Sequence, residues 1–361
     1  MRRILINLID LFPVILFAAV LYRCDASNLL SSAYHDSYLS QASTSQLRGL
    51  FAIIVVMNHL YQMAGCGILF PIFTRIGYTS VGFFFFLTGY GLMKRLVSDP
   101  EYHKCFLRRR LPSVLVPYML ACVVYWLYHC VRGTNYSVAD FVTRIVQGNP
   151  IVTNSWYIIT ILSCYLFFWL SIWLFRERPI LVVLANGVFC VFYTVICIRL
   201  EFAPHWFKSI AAYPVGLFWA VYEAPILERI KKSYYLWLSA AIVFFGGAMV
   251  IQMHYGNMSS PSVAQAVFSN MTITAFVLCT LLVILKLRIG NRFLVYCGKH
   301  SLEIYLYHGM FIGLARPLLA DANGAWKYFL VVLCGSFAFA HIVYPINQRL
   351  LSACRHILRQ Q

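Results

Sequence analysis

Two polar side chains, Arg48 and His59, lie in the mostly apolar stretch LRGLFAIIVVMNHL. They are eleven residues apart, close to three helical turns, so both project from one face of a helix, with a rise of roughly 16 Å between them. Arginine offers a planar charged fork for phosphate, and imidazole takes and returns a proton near neutral pH. The pair suits a reaction on an anionic substrate anchored at the membrane surface, with His59 near the bilayer centre. Alternatively, Arg48 anchors the helix at the interface and His59 only packs.

The overall composition is that of a membrane protein. Of 361 residues, 61% are hydrophobic and 11% are charged, whereas soluble domains carry about 25% charged residues. Apolar runs of about 20 residues predict membrane-spanning helices rather than the strands of a barrel. The predicted fold class is all-α, a polytopic integral membrane helix bundle with a ten-helix core and one N-terminal hydrophobic segment. The predicted spans are 4–22, 48–66, 76–93, 111–131, 154–175, 179–198, 208–222, 234–252, 263–285, 301–318 and 327–345.

Basic residues predict the orientation of the bundle. Lysine and arginine concentrate in alternate loops of the ten-helix core, such as 94–110 and 286–299, and in the C-terminal tail. The positive-inside rule places these loops and the C-terminus in the cytoplasm, so we expect a multi-pass protein of the cell (inner) membrane. The net charge of +17 reflects this topology and attraction to the lipid bilayer, and we expect no nucleic-acid partner. The predicted domains are an N-terminal hydrophobic helix and linker (1–47), a membrane domain (48–345) and a basic cytoplasmic tail (346–361).

Two of the predicted spans fit less well than the others. A span over 4–22 leaves Arg2 and Arg3 outside the cell, against the charge rule. An uncleaved extra span is favoured there, with a signal peptide or an in-plane helix as alternatives. Segment 208–222 is short and contains a proline and a glycine, which predicts a broken or tilted helix.

The twelve cysteines do not predict a metal centre or a disulfide framework. Eight of them lie within the predicted spans, and no C-x-x-C spacing occurs. A cysteine in an apolar helix usually packs as a small hydrophobic residue, so we expect no bound metal.

The stretch around Arg48 and His59 resembles the opening helix of acyltransferase family 3, the bacterial multi-pass membrane acyltransferases, whose hallmark is an arginine, ten residues, then a histidine. VGFFFFLTGYGLMKR, FLRRRLPSVLVPY, NSWYI and GKHSLEIYLYHG follow in the family's order, so the resemblance covers residues 45–345. It implies transfer of an acyl group, usually acetyl, from cytoplasmic acyl-CoA (acetyl-CoA) as donor substrate. The implied acceptor is a hydroxyl of a cell-surface carbohydrate or its lipid-linked glycan precursor.

The resemblance also implies roles for individual residues. His59 is expected to be the catalytic base or a transient acyl acceptor, because a sugar hydroxyl is a poor nucleophile until its proton is removed. Arg48 is expected to hold the CoA end or the reacting group. Three consecutive arginines and one tryptophan could bind acyl-CoA, or could serve as topology and membrane-interface anchors. These candidates are Arg108, Arg109, Arg110 and Trp156.

A second set of candidates lies in GKHSLEIYLYHG. Ser301, Tyr305 and His308 share one helix face at helical spacing. His308 could shuttle protons or could be a hydrogen-bonded packing residue. Glu303 faces away from His308 and is expected to pair with a loop arginine rather than to act as a catalytic acid.

Two other functions compete with acyl transfer. A glycan or lipid transporter (flippase) often shows broken helices in two repeated halves, but the sequence has no repeat and only the segment 208–222 as a candidate. A non-catalytic assembly component of a polysaccharide pathway is expected to have lost Arg48 or His59, and both are present.

Overall fold

The computed structural model describes residues 8–99, 101–175, 177–255, 261–320 and 324–360. Within these ranges the chain forms thirteen α-helices and one antiparallel pair of two-residue strands, β1 (Cys24–Asp25) and β2 (Arg288–Ile289). The all-α bundle is therefore confirmed. The helices are α1 Leu11–Leu21, α2 Gln41–Ala64, α3 Pro71–Ser98, α4 Tyr102–Val131, α5 Val138–Val146, α6 Trp156–Phe175, α7 Pro179–Arg199, α8 Ala212–Lys232, α9 Tyr234–Tyr255, α10 Val263–Lys286, α11 Arg292–Lys299, α12 Ser301–Ala315 and α13 Gly324–Gln360.

Each of the ten predicted core segments is a helix. They correspond to α2, α3, α4, α6, α7, α8, α9, α10, α12 and α13. Eight of them, all but α8 and α12, are long and apolar enough to cross a membrane. Tyr222 of α8 leaves helical geometry (φ −110°, ψ 20°) three residues before Pro225, and not at Pro214 or Gly216, on which the prediction for 208–222 rested. A proline ring displaces the preceding turn of a helix, which explains the kink.

The ends of two predicted segments fall inside longer helices. α2 begins at Gln41, seven residues before the predicted boundary at 48, and Ser40 caps it by accepting the N–H of Ser43. α13 continues to Gln360, so residues 346–360 of the predicted basic tail are helical and continue the last core helix. The short helices α5 and α11 were not among the predicted elements.

The N-terminal segment runs along the side of the bundle. Asp10 is 1% exposed, and its carboxylate accepts the N–H groups of Ile68 and Leu69, just after the end of α2. β1 pairs with β2 between α10 and α11, at the opposite end of α2. The eleven residues of α1 rise roughly 16 Å, less than a full span needs. Arg2, Arg3 and residues 4–7 lie outside the described residues.

Two pairs of glycines set how closely the central helices approach. A Cβ on Gly298 would lie 1.8 Å from the carbonyl oxygen of Ser45, and one on Gly49 would lie 2.1 Å from that of Leu294. These contacts are backbone to backbone, so α2 and α11 touch directly at Gly49 and Gly298. Gly89 and Gly216 make the same kind of approach between α3 and α8. Helices that carry small residues at their contact pack more tightly, and this packing fixes the position of Arg48 relative to α12.

Candidate active site

A cavity of about 270 Å³ lies beside Arg48, between α2, α3, α4, α6 and α12. Its lining is mostly apolar, with two guanidinium groups, those of Arg48 and Arg110. Nε of Arg48 is buried and has no hydrogen-bond partner within the described ranges. Nε of Arg110 donates to the hydroxyl of Tyr102 at 2.6 Å. No carboxylate is among the described residues that line this cavity, so its charge favours an anionic or electron-rich ligand.

A path of basic residues joins this cavity to the surface. Arg48 and Arg110 also line a second cavity of about 480 Å³, together with Lys94 and Arg95. Lys94 is paired with Glu223 at 2.5 Å and Arg95 with Asp99 at 3.3 Å. Among the described residues no carboxylate pairs with Arg48 or Arg110, so these two arginines hold the unneutralised charge of the path.

The three consecutive arginines have different positions. Arg110 lines the inner cavity and both outer ones. Arg108 and Arg109 are exposed and line only the outermost groove, of about 710 Å³, which also contains Arg355. Arg110 is therefore the one of the three that can contact a ligand bound beside Arg48. Arg108 and Arg109 can contact only the outer part of such a ligand.

His59 and His308 form a stacked pair of imidazoles. Their ring centroids are 5.2 Å apart with an interplanar angle of 29°. His308 is fully buried; its Nδ1 lies 2.7 Å from the carbonyl oxygen of Tyr305, and its Nε2 lies 3.1 Å from Nδ2 of Asn154. A carbonyl can only accept, so Nδ1 of His308 carries the proton and Nε2 accepts from the amide. The two hydrogen bonds fix the neutral tautomer of His308.

His59 is half-buried and is oriented by its own helix. Its Nδ1 lies 3.2 Å from Oε1 of Gln62, one turn later in α2. With an oxygen acceptor there, Nδ1 carries the proton and Nε2 keeps its lone pair, the arrangement of a neutral base. His59 is five residues before the end of α2 at Ala64, roughly 10 Å beyond the middle of the helix. It therefore lies in the second half of α2, and its depth near the bilayer centre stays a prediction.

Tyr305 connects the arginine cavity with the histidine pair. Its ring lines the cavity, lies 5.9 Å from the ring of His308 and 5.5 Å from that of Tyr157. Its hydroxyl donates to the carbonyl oxygen of Asn154. Ser301 lines the same cavity and donates to the carbonyl oxygen of Gly298 at 2.9 Å. The face of α12 that was singled out by spacing therefore runs from the cavity to the two histidines.

Two further candidates lie elsewhere. Glu303 is 3% exposed, and its partner among the described residues is Nδ2 of Asn347 in α13, at 2.9 Å. The predicted pairing with a loop arginine is wrong, because the side chain points into the contact between α12 and α13. Trp156 is buried and packs against His205, with ring centroids 5.3 Å apart. It is not among the residues that line the arginine cavities, so the structure does not bring it to the arginines.

Several polar residues around the histidines were not singled out in the sequence. Asn154 adopts a left-handed backbone (φ +64°), which asparagine tolerates better than most residues. His205 and Lys208 lie in the turn between α7 and α8. The sequence predicts a connection at His205 and the start of a span at Lys208. Burial and the neighbouring charge of Lys208 lower the pKa of His205 to about 4, so His205 is neutral at pH 7. Burial also lowers the pKa of Lys208.

One of three comparisons with known proteins identifies the family of the chain. No curated protein and no solved structure matches the chain. A family model described as an acyltransferase domain, that of acyltransferase family 3, matches residues 43–345. This match begins at the first turn of α2 and ends in α13, and so contains both arginines of the cavity and both histidines of the pair. The chain belongs to acyltransferase family 3 and is a multi-pass membrane acyltransferase.

Proposed function

We propose that the protein transfers an acyl group, in the first instance acetyl, from cytoplasmic acyl-CoA to a hydroxyl of a cell-surface carbohydrate or of its lipid-linked precursor. The observation that carries the proposal is the connection between two unneutralised arginines, Arg48 and Arg110, and the pair His59 and His308, with Tyr305 lying between them. The arginines can bind a negatively charged acyl donor, and the neighbouring histidines can accept a proton.

The donor enters from the basic end of the bundle. The phosphates of CoA bind along the outer groove and at Arg110, since guanidinium groups match phosphate oxygens in charge and geometry. Arg48 holds the CoA end at the entrance of the mostly apolar cavity, and the pantetheine arm extends through this cavity and carries the thioester towards His59. We expect the protein to lie in the inner membrane of the cell. The positive-inside rule then assigns this end of the bundle, together with the C-terminus, to the cytoplasm.

The acceptor reacts at His59. Nε2 of His59 takes the proton from the acceptor hydroxyl while its oxygen attacks the thioester carbonyl carbon. The tetrahedral intermediate collapses by breaking the carbon–sulfur bond, and the proton on His59 passes to the departing CoA thiolate. His308, held by Asn154 and by the carbonyl of Tyr305, supports the ring of His59 through the stacking contact.

The proposal is tested with purified protein in nanodiscs and radiolabelled acetyl-CoA. We expect label to leave CoA, by transfer or by slow hydrolysis, and we expect mass spectrometry of the cell's surface glycan to lose an acetyl group when the gene is deleted. A protein that binds no acetyl-CoA and leaves the surface glycan unchanged on deletion would contradict the proposal. The mass difference also identifies the acyl group and its acceptor.

A further inference from the structure

The turn between α7 and α8 holds a lysine in a fixed position. Lys208 follows a 3₁₀ turn, and its N–H donates to the carbonyl oxygen of Pro204 at 3.1 Å. Asn270 of α10 clamps the same turn, because its Nδ2 donates to the carbonyl oxygen of Phe207 and its Oδ1 accepts the N–H of Ala211. The backbone on both sides of Lys208 is therefore tied to neighbouring elements.

The ammonium group of Lys208 has no anionic partner. It lies 5.2 Å from the centroid of the Tyr78 ring, and no carboxylate in the described ranges forms an ion pair with it. Its charge acts instead on two imidazoles, those of His59 and His205. The side chain is half-buried, so water hydrates the ammonium group only in part.

A partly buried cation without a counter-ion is unfavourable for the protein alone. The side chains that surround it here are neutral: an aromatic ring and two imidazoles. The arrangement becomes favourable when an anion from outside the protein binds next to the lysine, because desolvated charge-assisted hydrogen bonds are among the stronger polar contacts.

We propose that Lys208, with His205 beside it, binds a carboxylate or phosphate group of the acceptor and so holds the acceptor hydroxyl next to His59. This inference rests on the proposed function, in which His59 is the base. The donor's phosphates do not explain the lysine, since they belong to the arginine end of α2, whereas the charge of Lys208 acts on His59, towards the other end of that helix. The acceptor is accordingly an acidic sugar or a phosphorylated precursor rather than a neutral one.

Protection of Lys208 from reductive methylation tests the inference without requiring turnover. Its lowered pKa increases the reactive, uncharged fraction of this amine at a given pH, and mass spectrometry compares its modification with that of the exposed Lys327. Methyl β-glucuronide and glucose 1-phosphate are compared with methyl β-glucoside, in phosphatidylcholine nanodiscs with or without phosphatidylglycerol. We expect at least one of the two anionic probes to protect Lys208, at about tenfold lower concentration than the neutral glucoside. The extent of methylation of Lys327 should be the same with and without the probes.

Three outcomes would overturn the inference. They are no protection by either anionic probe, equal protection by the neutral glucoside, and protection only by phosphatidylglycerol, which would make Lys208 a lipid-headgroup site. A second measurement uses ligand-induced thermal stabilisation. The protecting probe should raise the Tm of the wild type and of Lys327→Met, and should fail to raise that of Lys208→Met. Because neither readout needs acyl transfer, failure of the proposed function and failure of this inference remain distinguishable.

Discussion

Replacing Gly298 by alanine tests whether the contact between α2 and α11 positions the site. The added Cβ would lie 1.8 Å from the carbonyl oxygen of Ser45, and the backbones would have to separate by about 1.6 Å to restore ordinary contact at 3.4 Å. Overpacking of this kind costs about 1–3 kcal/mol of stability. Ser301 is only three residues further along the chain, so α12 moves relative to Arg48. A displacement of about 1 Å in an active site can cost about 100-fold in rate.

The matched control is Gly187→Ala in α7, where an added Cβ would have nothing within 4 Å. Thermal unfolding in detergent and acetyl-CoA turnover are measured for both variants. We expect Gly298→Ala to have a lower Tm and about 100-fold lower turnover, and Gly187→Ala to match or slightly exceed the wild type in Tm, because alanine favours a helix over glycine. Equal Tm and turnover in the two variants would refute the role assigned to the contact.

Three further predictions follow from the site. Arg110→Met should raise the KM for acyl-CoA by about 10- to 100-fold, the loss of one hydrogen-bonded charge contact, whereas Arg108→Met should have a much smaller effect; equal effects would contradict the inner position of Arg110. Asn154→Gly keeps the left-handed backbone but removes the hydrogen bond to His308, so turnover should fall by up to about tenfold, and unchanged turnover would show that this bond is not needed. The lowered pKa of His205 means that the unfolded chain binds a proton first as pH falls, so stability should decline from about pH 6.5 towards 4; a urea midpoint with the same pH dependence in His205→Asn would contradict this assignment.

The helices of the core could be predicted because long apolar runs have few alternatives in a membrane. Their ends could not, since α2 begins among polar residues such as Gln41 and α13 continues into a basic stretch. The short α5 and α11 have too few residues to form an apolar run of spanning length. The kink of α8 was not located, because Pro225 lies beyond the predicted end of that segment.

The site was predictable where it depends on helical spacing within one segment. Arg48 and His59 lie on one helix, and Ser301, Tyr305 and His308 share a face of another. The contact between the two faces was not predicted, because no pattern within either segment encodes it.

Contacts between remote segments could not be read from the sequence. Asn154 forms a hydrogen bond with His308, 154 positions further along the chain. Glu303 accepts a hydrogen bond from Asn347 because α12 packs against α13. The surroundings of Lys208 depend on how a short turn is clamped by Asn270. No local pattern of residues encodes these pairings.

Turnover of acetyl-CoA by His59→Ala tests the central claim most directly. The matched control is His341→Ala, which removes an exposed imidazole that contacts Tyr296 and His300. Both variants are first shown to have wild-type Tm, so that loss of folding is not mistaken for loss of chemistry. The account predicts that His59→Ala loses acyl transfer while still binding acyl-CoA at the arginine cavity, and that His341→Ala retains it. Full transfer by a folded His59→Ala protein would contradict the account.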